Sequence, residues 1–136
     1  MQRSSPSRSW QNAALRLGFV GLGNVGAALA MRLVGQLLSV FDADPEKSAA
    51  FAADDVAVAA SLQELAADSD IIFTCLPTSA VTEKLLFGPA GLSAHLTADQ
   101  IIVDMTSGDP AQSRDQAARL AAAGICFADA PVSGGP

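Results

Sequence analysis

The sequence predicts an α/β fold in three layers, an open parallel sheet with helices on both faces. Three observations point there. Short, continuously apolar runs recur along the chain, the form of strands buried on both faces. Helical stretches separate them, opened by Ser, Thr or Asp caps and closed by Gly or Pro. Strand and helix alternate from end to end, as parallel pairing requires, because each crossover must return the chain to the same edge.

Residues 15–21 read as the first strand, and a glycine-rich turn leads into a helix over 25–34. Residues 37–42 form the second strand. Asp44-Pro45-Glu46 then opens a helix running to about residue 53. It supplies an N-cap, a proline whose missing N–H is no loss in a first turn, and an acid beside the positive helix end. A short third strand, 56–58, precedes Ser61-Leu62-Gln63-Glu64, a capping box that starts a short helix. Residues 71–76 make the fourth strand, stopped by Pro77, and 78–87 are helical until Gly88-Pro89-Ala90-Gly91. The fifth strand is 101–104. Asp109-Pro110 starts the last helix, which reaches 123, with Gly124 suited to the left-handed position after it. The sixth strand is 125–129.

Composition narrows the function. Half of the 136 residues are apolar and 16% are charged, which excludes disorder as the main state and fits one domain with its own core. Eight Lys and Arg face 14 Asp and Glu, a net charge of −6. That balance argues against a nucleic-acid partner and against an anionic membrane surface. No run approaches the length of a membrane span, so the expected compartment is the cytoplasm. Cys75 and Cys126 sit in apolar runs and read as buried thiols. The first 16 residues carry Arg3, Arg8 and Arg16 and no acid, the composition of a transit peptide without its amphipathic period. Residues 1–14 are therefore expected to be a disordered extension, and 15–136 the domain.

The chemistry is concentrated at the strand ends. Gly21-Leu22-Gly23-Asn24-Val25-Gly26 is a G-x-G-x-x-G that follows a strand and opens a helix. The first glycine allows the tight turn, the second lets a pyrophosphate approach the backbone, and the third lets helix and strand pack closely. Free N–H groups at the helix start then face the phosphates. Asp42 ends the next strand, where a carboxylate can accept the adenosine ribose hydroxyls of NAD and repel the extra phosphate of NADP. This is the arrangement of a Rossmann-type dinucleotide site, with NAD as the expected cofactor and NADP disfavoured. Cys75-Leu76-Pro77-Thr78 and Asp104-Met105-Thr106-Ser107 leave the fourth and fifth strands at the same sheet edge. His95, the only histidine, reads as a helix-end residue, and no cluster suits a metal.

Four segments together resemble the β-hydroxyacid dehydrogenases, the family of 3-hydroxyisobutyrate dehydrogenase, tartronate semialdehyde reductase and, more distantly, 6-phosphogluconate dehydrogenase. They are GFVGLGNVG at 18–26, FDADPEK at 41–47, SDIIFTCLP at 69–77, and IIVDMTSGDPAQSR at 101–114 followed by FADAPVSGGP at 127–136. The resemblance implies that Leu22, Asn24 and Val25, with Gly21, Gly23 and Gly26, line the pyrophosphate. It implies that Leu76, Pro77 and Thr106 contact the nicotinamide half. Ser133, Gly134 and Gly135 would hold a short β-hydroxy acid. The implied reaction is reversible hydride transfer between that acid and the cofactor.

Two departures from the family pattern shape the expectations. The family's catalytic lysine and its helical domain lie beyond residue 136, so the chain resembles the N-terminal cofactor-binding half. No catalytic residue is assigned within it, and homo-oligomers are expected only of a full-length enzyme. The stretch from Gly26 to Asp42 is also about two residues short, around Leu33-Val34-Gly35-Gln36, which would shorten the first helix and shift Asp42. The competing readings are a non-catalytic dinucleotide-binding module and an NADH-sensing Rossmann domain. The run from Asp129 to Gly135 favours the enzyme, since a sensor has no need of a substrate loop.

Overall fold

The computed structural model describes residues 14–132; all but the last residue of the expected extension at 1–14, and Ser133, Gly134 and Gly135, lie outside the described residues. Six strands form one parallel sheet: β1 (Arg16–Val20), β2 (Leu37–Phe41), β3 (Ala57–Val58), β4 (Ile71–Thr74), β5 (Ile101–Asp104) and β6 (Cys126–Asp129). Their spatial order is β3-β2-β1-β4-β5-β6. The chain therefore builds outward from β1 in one direction, then returns to β4 on its other side and builds the opposite way. That reversal between β1 and β4 is the switch point of a doubly wound Rossmann-type sheet. Val20 pairs with both Phe41 and Thr74, so the three strand ends around the switch lie level.

Five helices connect the strands: α1 (Asn24–Met31), α2 (Pro45–Ala49), α3 (Leu62–Ala67), α4 (Ser79–Phe87) and α5 (Pro110–Ala122). Four begin as their sequences dictate. Asp44, Ser61, Thr78 and Asp109 each accept a hydrogen bond from a first-turn N–H. At α3 the Glu64 carboxylate also reaches back to the Ala60 N–H at 2.7 Å, completing the box one residue before the cap. Gly124 closes α5 with φ 79°.

Period-two alternation divides the core. On one face Val20, Ile72 and Ile102 meet Leu65, Leu86, Leu92 and Leu120, from the connections that lead to β4, β5 and β6. On the other face Phe19, Leu38 and Val40 meet Ala30 of α1 and Phe51 and Val56 beyond α2. This second layer is uneven. Phe73 stacks on Phe19 with ring centroids 6.1 Å apart. Farther out on that face Ile71, Ile101 and Val103 are half-buried, and Cys126 and Ala128 are exposed.

Some expectations are corrected. The helix after Asp44 ends at Ala49 rather than near residue 53. The Phe51 N–H instead bonds the Ser48 carbonyl at 3.0 Å, a 3₁₀ turn follows over Ala52–Asp54, and Phe51 enters the core. A second unforeseen 3₁₀ turn, Leu92–His95, buries Leu92 completely and ends at His95. Cys126 is exposed, not buried, because it lies on the open face of an edge strand. Among the described residues no helix is long and apolar enough to cross a membrane.

Candidate functional site

A cavity of about 650 Å³ opens along the edge where β1, β2, β4 and β5 end, within the range of roughly 300–1,000 Å³ usual for small-molecule sites. Its floor is the turn between β1 and α1. Gly21 adopts φ 100°, and its N–H donates to the Phe41 carbonyl at 3.1 Å. A side chain there would overlap the Cys75 carbonyl, so glycine is what lets β1 and β4 stay adjacent as they end. A side chain at Gly26 would overlap the Gly21 carbonyl, so this glycine seats α1 against the turn. Gly23 differs from both, because a Cβ built there meets no atom within 4 Å. It faces the cavity, leaving the backbone bare for an approaching ligand.

Helix α1 is also the exception among the five. Its N-cap, Gly23, supplies no side-chain acceptor to the first turn. Its free N–H groups and its partial positive charge are therefore offered to the cavity. A bare backbone at Gly23 and an uncapped helix start side by side fit the diphosphate of a dinucleotide.

Asp42 remains at the cavity despite the short first helix, whose eight residues end at Met31. One carboxylate oxygen accepts the Leu22 N–H at 2.7 Å and the other accepts the Asp44 N–H at 2.8 Å. A carboxylate has about four lone-pair positions, so two stay available for hydroxyl donors. Lys47 of α2 lines the same end of the cavity.

At the opposite end Cys75, Leu76 and Pro77 leave β4, Val81 and Leu85 project from α4, and Met105 and Ser107 leave β5. The Cys75 thiol is pushed up from its ordinary pKa by burial, reinforced by the negative charge of Asp104. Ser107 donates its hydroxyl to the Val132 carbonyl at 3.1 Å, and Val132 lines the cavity too. The chain is thus led to this end immediately before Ser133.

Of the residues singled out from the sequence, Gly21, Gly23, Asn24, Val25, Gly26, Asp42, Leu76 and Pro77 line this one cavity. Leu22 does not show its side chain there. It is buried among Phe19 and Val40, and only its N–H takes part, through Asp42. Thr106 does not reach the cavity wall either. It is 3% exposed, and its Oγ1 accepts the Leu76 N–H at 3.0 Å. The exposed hydroxyl at that strand end belongs to Ser107, which the sequence offers within the Asp104–Ser107 segment but the family resemblance does not pick out. Lys84 and Lys47 are both exposed, but only Lys47 adjoins the cavity. Among the described residues no three His, Cys, Asp or Glu side chains gather as a metal ion would require.

Comparison with known proteins agrees with this geometry. Residues 16–136 match the family model of the NAD binding domain of 6-phosphogluconate dehydrogenase. The chain is 38% identical to 2-(hydroxymethyl)glutarate dehydrogenase of Eubacterium barkeri over 90% of its own length and 41% of the relative's. Among solved structures it is similar to the 3-hydroxyisobutyrate dehydrogenase of Mycobacterium tuberculosis with L-serine. That match has 33% identity and TM-score 0.80, and covers 90% of this chain and 42% of the other. It is also similar to Psf3 in complex with NADP+ and 2-OPP, at 28% identity and TM-score 0.83, covering 88% and 43%. The chain spans about two-fifths of the length of the curated relatives it matches.

Proposed function

Because the chain belongs to the β-hydroxyacid dehydrogenase family, as its NAD(P)-binding domain, we propose that it holds NAD(H) along this cavity for reversible hydride transfer with a short β-hydroxy acid. The observation that carries the reading is the bare backbone of Gly23 at the uncapped start of α1, with the Asp42 carboxylate beside it. When bound, the cofactor supplies the hydride acceptor. The chain's own residues bind and orient it. The first-turn N–H groups of α1 take the pyrophosphate, the remaining lone pairs of Asp42 take the adenosine ribose, and Leu76 and Pro77 support the nicotinamide half.

The substrates named in the relatives, 3-hydroxyisobutyrate and 2-(hydroxymethyl)glutarate, share a hydroxymethyl group on the carbon that bears a carboxylate. We assign the same substrate class here, met by Ser133, Gly134 and Gly135. Oxidising an alcohol also requires a base for the hydroxyl proton, typically contributing about 10²–10⁴-fold. Among the described cavity residues, Asp42 and Lys47 lie at the adenosine end, and the Cys75 thiol is held protonated by its surroundings. A polypeptide of these 136 residues is therefore expected to bind cofactor without measurable NADH formation from 3-hydroxyisobutyrate, glycerate or L-serine. Robust turnover would mean that one of these groups, or one outside the described residues, serves as the base.

NAD is the preferred form in this reading, because both Asp42 oxygens are held by backbone N–H groups and the carboxylate cannot swing away from a 2′-phosphate. Calorimetric titration tests it. NAD should bind more tightly than NADP, and Asp42→Ala should weaken NAD by about tenfold or more and narrow the gap. Equal affinities in the unmutated chain would remove the preference, and no binding of either would remove the cofactor reading.

A further inference from the structure

A buried polar relay lies directly behind the nicotinamide end of the cavity. Thr74, at the end of β4, donates its hydroxyl to Asp104 Oδ1 of β5 at 2.8 Å. The same oxygen accepts the Thr106 N–H at 3.2 Å. Thr106 Oγ1 in turn accepts the Leu76 N–H at 3.0 Å, and the Thr82 hydroxyl of α4 lies 3.3 Å from it. Thr74 and Thr82 are wholly buried, and Asp104 and Thr106 are 3% exposed. None of the ion pairs among the described residues includes Asp104.

Placing a carboxylate and three hydroxyls inside a strand–helix seam works against stability unless every member is well bonded, and apolar side chains of the same shape would pack there as well. The relay ends on the Leu76 N–H, which points inward to Thr106. Leu76 lines the cavity, and Pro77 after it has no N–H of its own. The Cys75 N–H is already held by β1, through the Val20 carbonyl at 2.9 Å. The Leu76 N–H is thus the last donor of this strand exit. Its acceptor, Thr106, sets the direction in which Leu76 and Pro77 leave.

We propose that Asp104, Thr74 and Thr106 form a positioning relay that fixes Leu76 and Pro77 against the nicotinamide, with Thr106 acting through the Leu76 N–H rather than on the cofactor itself. The proposal rests on the reading of the cavity as an NAD(H) site. Its signature is selectivity within the ligand. The relay touches neither Gly23 nor Asp42, so it bears on the nicotinamide half and not on the ADP-ribose half.

The test is calorimetric titration of the purified chain with NADH and with ADP-ribose, which lacks the nicotinamide. Thr106→Val keeps the side-chain shape and removes the acceptor. It should bind ADP-ribose as the unmutated chain does but lose about fivefold in NADH affinity, and Thr106→Ser should restore it. Should Thr106→Val fail to fold by circular dichroism, Thr74→Val leaves the Leu76 acceptor in place and should show the same selective loss at about threefold. An unchanged ratio of NADH to ADP-ribose affinity overturns the relay, whether both ligands bind normally or both weaken alike. If the unmutated chain binds neither ligand, the cavity reading fails and the relay with it.

Discussion

Gly23→Val is expected to abolish dinucleotide binding while leaving the circular dichroism spectrum and the thermal melt nearly unchanged. Beyond its own chain neighbours nothing lies within 4 Å of the added Cβ, so the Cβ enters open space rather than the core. Its φ of −67° is one that any residue adopts. The branched side chain instead occupies the space in which a diphosphate would come down onto the start of α1. Losing two or more hydrogen bonds to a charged group, each contributing about 1.5–3 kcal/mol, weakens binding by more than about 100-fold. Calorimetry with NAD measures the loss. Normal binding by this variant would show that the phosphates do not pass over the turn.

Three residues on, the same substitution should have the opposite outcome. Gly26→Val is expected to unfold the chain or leave it insoluble. Its Cβ would overlap the Gly21 carbonyl and touch the Phe19 ring at 3.5 Å. Neither can retreat, since Gly21 is bonded to Phe41 and Phe19 is 1% exposed in the core. Overpacking against backbone costs more than about 3 kcal/mol, a large part of the 5–15 kcal/mol that typically holds a domain together. Urea denaturation measures it. A midpoint close to that of the unmutated chain would mean that α1 is not seated on the turn as described.

Much of this was legible in the sequence because the signals are local. Asp44, Ser61, Thr78 and Asp109 cap helices through bonds spanning two or three residues, and those helices start where the sequence places them. The three glycines announce a turn whose neighbours are fixed by the strand before and the helix after. The end of α2 was not legible. It is set by Phe51 turning into a cluster with Phe19 and Val40, whose location depends on how the sheet is assembled. Thr106 lies off the cavity wall for a reason that is also local. Ile102, Asp104 and Thr106 keep the period of two, so the inward-facing side of β5 continues past its last ladder residue and takes the threonine with it. Applied one step beyond the strand, that parity would have selected Ser107 for the cavity wall. Cys126 was misplaced for a different reason. An apolar run shows that a strand forms, but not whether a helix covers both of its faces.

The two hydrogen bonds of the Asp42 carboxylate bear on the kinetics of association as well as on selectivity. One ties Leu22 of the glycine turn to the exit of β2 across twenty residues of chain, and the other holds that exit itself through the Asp44 N–H. The turn is therefore ordered by folding rather than by its ligand. Such preorganisation removes the entropy that a slack loop would give up on each encounter. Arrival then needs only diffusion and correct orientation, without a preceding conformational step, and differences among related ligands are expressed in how long each one stays.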